Sequence, residues 1–173
     1  TPRRGWELTA WDLKIKAVQL MNGATSIVEV SRFRGGDGPL TLAYCPTAMW
    51  WQRVDQNSEQ ERQQVIQWIR EEQNGLLMSA VQKGATLQFI VPGKRSLDDE
   101  DLEQIARQLA KSPSNRLVAA LGSSAGGMLV LRLMRFCAAV RIACAVSPAP
   151  VEDVDWLQVP SQSEELAEHL ERS

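Results

Sequence analysis

Histidine is almost missing from this chain: His169 is the single one in 173 residues. Cysteine is scarce as well, with only Cys45, Cys137 and Cys144, each in an apolar run and none at metal-ligand spacing. One imidazole and three scattered thiols cannot assemble a regular zinc set, so no metal or other cofactor is expected. An odd cysteine count in core-like contexts fits a reducing compartment, and a cytoplasmic location is the expectation. No apolar window reaches the ~18 residues of a membrane span; the longest, Leu117 to Val146, is interrupted by Arg132, Arg135 and Arg141. A basic surplus is also missing: 19 Lys and Arg stand against 21 Asp and Glu, for a net charge of −2. That argues against nucleic acid or an anionic membrane as partner, and Arg3-Arg4 is too short to change it. There is no internal repeat, no low-complexity block and no visible signal peptide. The chain opens on Thr1-Pro2 rather than Met, which reads as a processed or excised piece.

What is present is ordinary for a globular domain: 44% hydrophobic and 23% charged residues in a length sufficient for one core. Residues 1–150 read as a single domain, and 151–173 as an acidic tail with a short helix capped by Ser161 and Glu164. In chain order, Thr9 and Asp12 form a capping-box pattern, and Leu13, Ala17, Leu20 and Met21 share a helical face, so an N-terminal helix ending at Asn22-Gly23 is expected. Thr25 to Phe33 is rich in β-branched residues and reads as a strand. Arg34 to Pro39 is a turn, and Leu40 to Cys45 is the next strand, with a hairpin between the two strands as one option.

Pro46-Thr47 opens a long helical region with a second capping box at Ser58 to Glu61 and an apolar face through Val65, Trp68 and Ile69, continuing past Gly75. Trp50, Trp51 and Trp68 fit a sheet-covering core better than a binding surface, because large aromatics are mostly buried. Thr86 to Val91 is a strand. Ser96 and Asp99 cap a helix with Leu102, Ile105, Ala106 and Leu109 on one face. The strand Arg116–Leu121, a turn, the helix Met128–Val140 and the strand Ile142–Val146 complete the pattern.

From Leu40 onward strands and helices alternate. Such alternation gives right-handed crossovers, hence a three-layer α/β domain: a mostly parallel sheet of about five strands with helices on both faces. The last three strands are apolar nearly throughout, as strands covered on both sides should be. Ligands of such sheets sit at the carboxyl ends of the strands. Those ends are Cys45-Pro46-Thr47, Pro92-Gly93-Lys94-Arg95, Gly122 to Gly127, and Ser147-Pro148.

One of these ends proposes a chemistry. Gly122-Ser123-Ser124-Ala125-Gly126, followed by Gly127, is a G-x-S-x-G pentapeptide between an apolar strand and an apolar helix. A serine at the centre of such a turn is forced into strained backbone angles, and residues two before and two after it must be small for strand and helix to approach. Ser124 would then stand exposed at the top of the sheet, and the Ala125 N–H could donate to an oxyanion.

The motif resembles the nucleophile elbow of the α/β-hydrolase fold, and Ser-Ala-Gly-Gly is especially similar to its esterase and lipase branch. The resemblance covers roughly Leu40 to Pro150 and includes the strand RLVAAL and the strand ending AVSP. It implies a serine hydrolase acting on a small ester, with Ser124 as nucleophile. The family order of serine, acid and histidine is met by Ser124, Asp153 or Asp155, and His169. The family also carries a second oxyanion donor after an early strand, where this chain has Cys45-Pro46-Thr47 without His or Gly. The intervening strands that position the family's acid and base are not found, so the domain looks like a shortened hydrolase.

Two other classes fit the same residues. The N–H groups of Gly122, Ser123, Ala125 and Gly126 at a helix start suit a phosphate or carboxylate, with Lys94 and Arg95 adding charge from a neighbouring loop; this would be an anion- or nucleotide-binding module. Arg34 and Asp37 have the R-x-x-D spacing that resembles cyclic di-GMP sites, although ordinary turn chemistry also explains them. Alternatively, the sheet is a catalytically inactive scaffold that associates with a protein partner or with itself.

Overall fold

A computed structural model describes residues 12–34, 38–48, 51, 59–94, 96–112 and 116–148. Within them the strands are β1 (Leu13–Gln19), β2 (Ser26–Arg32), β3 (Leu40–Cys45), β4 (Thr86–Val91), β5 (Leu117–Ser123) and β6 (Val140–Val146). The helices are α1 (Glu59–Glu71), α2 (Leu76–Gln82), α3 (Asp99–Leu109) and α4 (Ala125–Leu133), with a 3-10 turn at Glu72–Gly75 between the first two. The strands form one sheet in the order β1-β2-β4-β3-β5-β6. Pairing is parallel from β4 through β3 and β5 to β6, and antiparallel at β1-β2 and β2-β4. The expected mostly parallel α/β sheet is therefore present, with six strands.

Helices cover both faces, and the core divides accordingly. On one side α1 and α2 pack Val65, Trp68, Ile69, Leu77 and Val81 onto Val30, Tyr44, Leu87 and Phe89. On the other, α3 and α4 pack Leu102, Ile105, Leu109, Val130 and Leu133 onto Ile27, Ala43, Ile90 and Ala120. Every residue of β4 is buried, as a strand covered on both faces requires. Trp68 is buried and stacks on Phe89 with ring centroids 5.4 Å apart. Trp51 is buried too, and its Nε1 donates to the Pro46 carbonyl at 2.8 Å. Both tryptophans are therefore core, and Trp50 lies outside the described residues.

Several expectations are corrected. The N-terminal helix is instead β1. LKIKAVQ also carries a period of two, and pairing of all seven residues with β2 decides in its favour. Asn22-Gly23 closes a hairpin rather than a helix: Asn22 Oδ1 accepts from the N–H groups of Ala24 and Thr25 at 2.9 and 2.8 Å. The hairpin considered between β2 and β3 does not form, because β4 inserts between them, antiparallel to β2 and parallel to β3.

The cap of α3 is Asp98 with Asp101, each side chain accepting from the other's backbone N–H at 2.9 Å, not Ser96 with Asp99. The helix after the turn runs Ala125–Leu133, earlier and shorter than expected. The region from Pro46 is not continuously helical: Pro46 and Thr47 are irregular and α1 begins at Glu59. β6 is not covered on both sides: it ends the sheet among the described residues, leaving Ile142, Val146 and Cys144 exposed. The acidic tail, 151–173, lies outside the described residues.

Candidate active site

The turn between β5 and α4 is held by backbone contacts from three sides. Ser123 is the last residue of β5 and Ala125 the first of α4, so the whole change of direction falls on Ser124. Its φ is 55° and its ψ −119°, a combination that residues with a Cβ rarely adopt. The Ser124 N–H donates to the Val146 carbonyl at 2.9 Å, tying the turn to the end of β6. The Ser124 carbonyl accepts from the Gly127 N–H at 2.9 Å, which starts the helix.

The glycines answer to close backbone approaches. A Cβ at Gly122 would stand 2.1 Å from the Gly126 carbonyl oxygen, and one at Gly126 would stand 2.2 Å from that of Cys45 and 2.4 Å from that of Pro46. These are backbone atoms that cannot swing aside. At Gly127 a Cβ would press on Ala145 Cβ at 3.1 Å. Ala125 is buried beneath the turn, while Ser123 and Ser124 are half-buried. The Ser124 side chain makes no capping bond to α4. The N–H of Ala125 stands at the helix start, where backbone donors have no intrahelical acceptor and the helix dipole is positive.

Thus Gly122, Ser123, Ser124, Ala125 and Gly126 come together. Lys94 is engaged elsewhere: its Nζ lies 2.8 Å from Asp101 Oδ2. Asp101 is buried and also accepts from Asn22 Nδ2 at 2.8 Å, so the cluster ties the β4 loop to the start of α3 and to the β1–β2 turn. Burial pushes the Asp101 carboxyl up, but the hydrogen bonds from Lys94, Asn22 and the Asp98 backbone outweigh it and hold the group below its ordinary value. The hydrogen bond to Asp101 correspondingly raises the Lys94 ammonium.

Arg34 follows β2, which runs antiparallel to β4; it therefore lies at the amino end of the parallel strands, opposite Ser124. The structure does not group it with the turn. Arg95, Asp37, Asp153, Asp155 and His169 lie outside the described residues. Cys45, at the end of β3, is buried, and burial pushes its thiol well above the ordinary value, so it carries no thiolate beside the turn. Among the described residues, no three His, Cys, Asp or Glu side chains are grouped to hold a metal ion.

Sequence reasoning missed the carbonyls of Cys45, Pro46 and Val146 as walls and anchor of the turn. They are backbone groups, and no side-chain signal announces them. It also missed the Asn22–Lys94–Asp101 cluster, for which an Asn-Gly turn and an Asp-x-x-Asp cap were the available signals.

No protein-family model matches the chain, and no curated protein matches it. Solved structures do. The esterase Est22 aligns with a TM-score of 0.55 at 15% identity, over 90% of this chain and 50% of that one. An esterase from Pyrobaculum calidifontis aligns with a TM-score of 0.51 at 15% identity, over 79% and 44%. EstE5 aligns with a TM-score of 0.51 at 18% identity, over 82% and 46%. The chain spans about half the length of these proteins. At such identities the likeness is one of architecture, and the domain has an α/β-hydrolase-like fold.

Proposed function

We propose that this domain is a serine acyl hydrolase acting on a small ester at Ser124. The observation that carries the reading is the backbone of Ser124. A residue held at such angles costs on the order of 1–3 kcal/mol, and in this turn the strain presents a hydroxyl at the carboxyl end of the sheet. In the proposed reaction Ser124 Oγ bonds to the ester carbonyl carbon while its proton passes to a base. The Ala125 N–H holds the oxyanion. Collapse breaks the bond to the alkoxide, which leaves with that proton, and water then hydrolyses the acyl-enzyme. Chain order offers His169 as the base, oriented by Asp153 or Asp155; a base supplied from outside this chain would fill the same role.

A fluorophosphonate probe tests this. Labelling of the wild type that disappears in Ser124→Ala and falls sharply in His169→Ala supports the full assignment. Labelling lost in the first variant but kept in the second moves the base elsewhere. A folded wild type that takes no label sinks the reading. p-Nitrophenyl butyrate, with which EstE5 crystals were soaked, is a suitable companion substrate.

One observation supports a second reading, an interaction domain. Among the described residues β6 ends the sheet, with Ile142 55% and Val146 37% exposed, and an uncovered apolar edge strand is a pairing surface. The measurement is solution mass by light scattering: a monomer for both the wild type and Ile142→Lys would remove self-association.

A further inference from the structure

At the other end of the sheet, away from Ser124, the α3 face changes character. Register places Lys16, Glu29 and Gln88 in one row, pairs Lys14 with Ser31 beyond it, and sets Thr41 of β3 beside Thr86. These polar side chains occupy a face that is apolar further along, at Ile27, Ala43 and Ile90. Above them α3 ends, leaving a cavity of about 260 Å³ with Gln108, Lys111, Ser112 and Arg116 on its walls.

Burying such a floor costs free energy unless its groups are bonded. Much of it is: Thr41 Oγ1 and Ser112 Oγ share a hydrogen bond at 2.9 Å, and Arg116 donates to Thr86 Oγ1. Gln88 gives its amide nitrogen to Glu29 Oε2 at 3.0 Å, which fixes the amide orientation. Its Oε1, on a side chain that lines the cavity and is only 6% exposed, has no hydrogen-bond donor among the described residues.

The charge is also unbalanced. Lys14 and Lys111 line the cavity with one carboxylate, Glu29, which Lys16 already faces directly across β1 and β2. Neither Lys14 nor Lys111 has an ion-pair partner among the described residues. We propose that this cavity is a second site, which binds a small phosphate monoester carrying hydroxyl groups. The dianion answers the two unpaired lysines, Lys14 and Lys111. The hydroxyls answer the threonine, serine and glutamine groups of the floor. The volume suits a body of a few carbons.

The test is isothermal titration with glycerol 3-phosphate, with glycerol and with sodium chloride at equal ionic strength as controls. Saturable binding of the phosphate ester alone is expected. Its Kd should rise at least tenfold in Lys14→Met/Lys111→Met and further in Lys111→Glu, and should be unchanged in Ser124→Ala, which keeps it distinct from the elbow. Both lysines are exposed, so these variants fold, and melting curves without ligand verify it. No saturable binding by the wild type, or a Kd that the lysine substitutions leave unaltered, overturns the proposal.

Discussion

Replacing Ser124 by glycine should make the protein more stable, and replacing it by alanine should not. At φ 55° and ψ −119° the penalty comes from the Cβ, which serine and alanine share and glycine lacks. Relief of the strain is worth roughly 1–3 kcal/mol. The extra freedom that glycine brings to the unfolded chain costs about 0.4–1 kcal/mol. The net gain is about 1–2 kcal/mol, since the Ser124 side chain makes no capping bond that glycine would forfeit. For a chain of this size each kcal/mol moves the melting midpoint by about 2–4 °C, so Ser124→Gly should melt several degrees above both the wild type and Ser124→Ala. Urea unfolding with an unchanged m-value supplies the free energy directly. If the glycine variant is no more stable than the alanine variant, the turn stores no strain and the physical basis for an activated serine is gone.

Other substitutions probe the walls around it. Gly126→Ala should cost about 3 kcal/mol or more, because its Cβ would meet the Cys45 and Pro46 carbonyls at 2.2 and 2.4 Å; near-wild-type urea stability would contradict that approach. Gly93→Ala should be damaging for two reasons, a φ of 74° and a Cβ 1.9 Å from the Ala24 carbonyl oxygen, and an unaltered melting midpoint would count against both. Asp98→Ala removes the cap of α3 and should cost about 1 kcal/mol, read in the same assay. The lowered Asp101 carboxyl contributes stability above the ordinary carboxylate range, and that contribution is lost as pH falls through the folded value. Lys94→Met should therefore destabilise by about 1 kcal/mol near neutrality, discounted for the partial exposure of Lys94, with the gap from wild type closing below pH 4; a gap independent of pH would show that the ion pair is not its source.

The central and carboxyl-terminal strands were legible because burial on both faces writes itself as continuous apolar runs, as in TLQFIV and LVAALGS. The two ends of the sheet were harder. LKIKAVQ satisfies a helical and an alternating pattern together, and only its partner, β2, selects one. The insertion of β4 between β2 and β3 is a long-range event carried by the α1–α2 crossover, and no local signal at Arg34 to Pro39 reports it. β6 reads like a covered strand by composition, yet among the described residues it ends the sheet and alternates exposed with half-buried residues from Ile142 onward. At the candidate site, Gly122 to Gly126 was legible as a motif because sterics demand those residue types. The company it keeps was not, because its neighbours are carbonyl oxygens. Lys94 looked available in the loop after β4, and the buried carboxylate that claims it lies on an element seven residues later.

The residues of the turn divide by what their surroundings demand. Gly122 and Gly126 are required by backbone atoms close to 2 Å from where a side chain would begin, and Gly127 by Ala145. Ala125 is buried beneath the turn, where a small side chain suits the close approach of strand and helix. All four would be needed in any fold that brings a strand and a helix this near to Cys45 and Val146, whether or not a reaction took place there. Ser124 is different. Nothing in its surroundings asks for a Cβ, and its backbone angles favour the residue that has none. A turn selected for packing alone would place glycine at this position and avoid the strain. Serine there fits the proposed use of its hydroxyl, and that single position, rather than the glycine pattern around it, is where the hydrolase proposal and a packing role part.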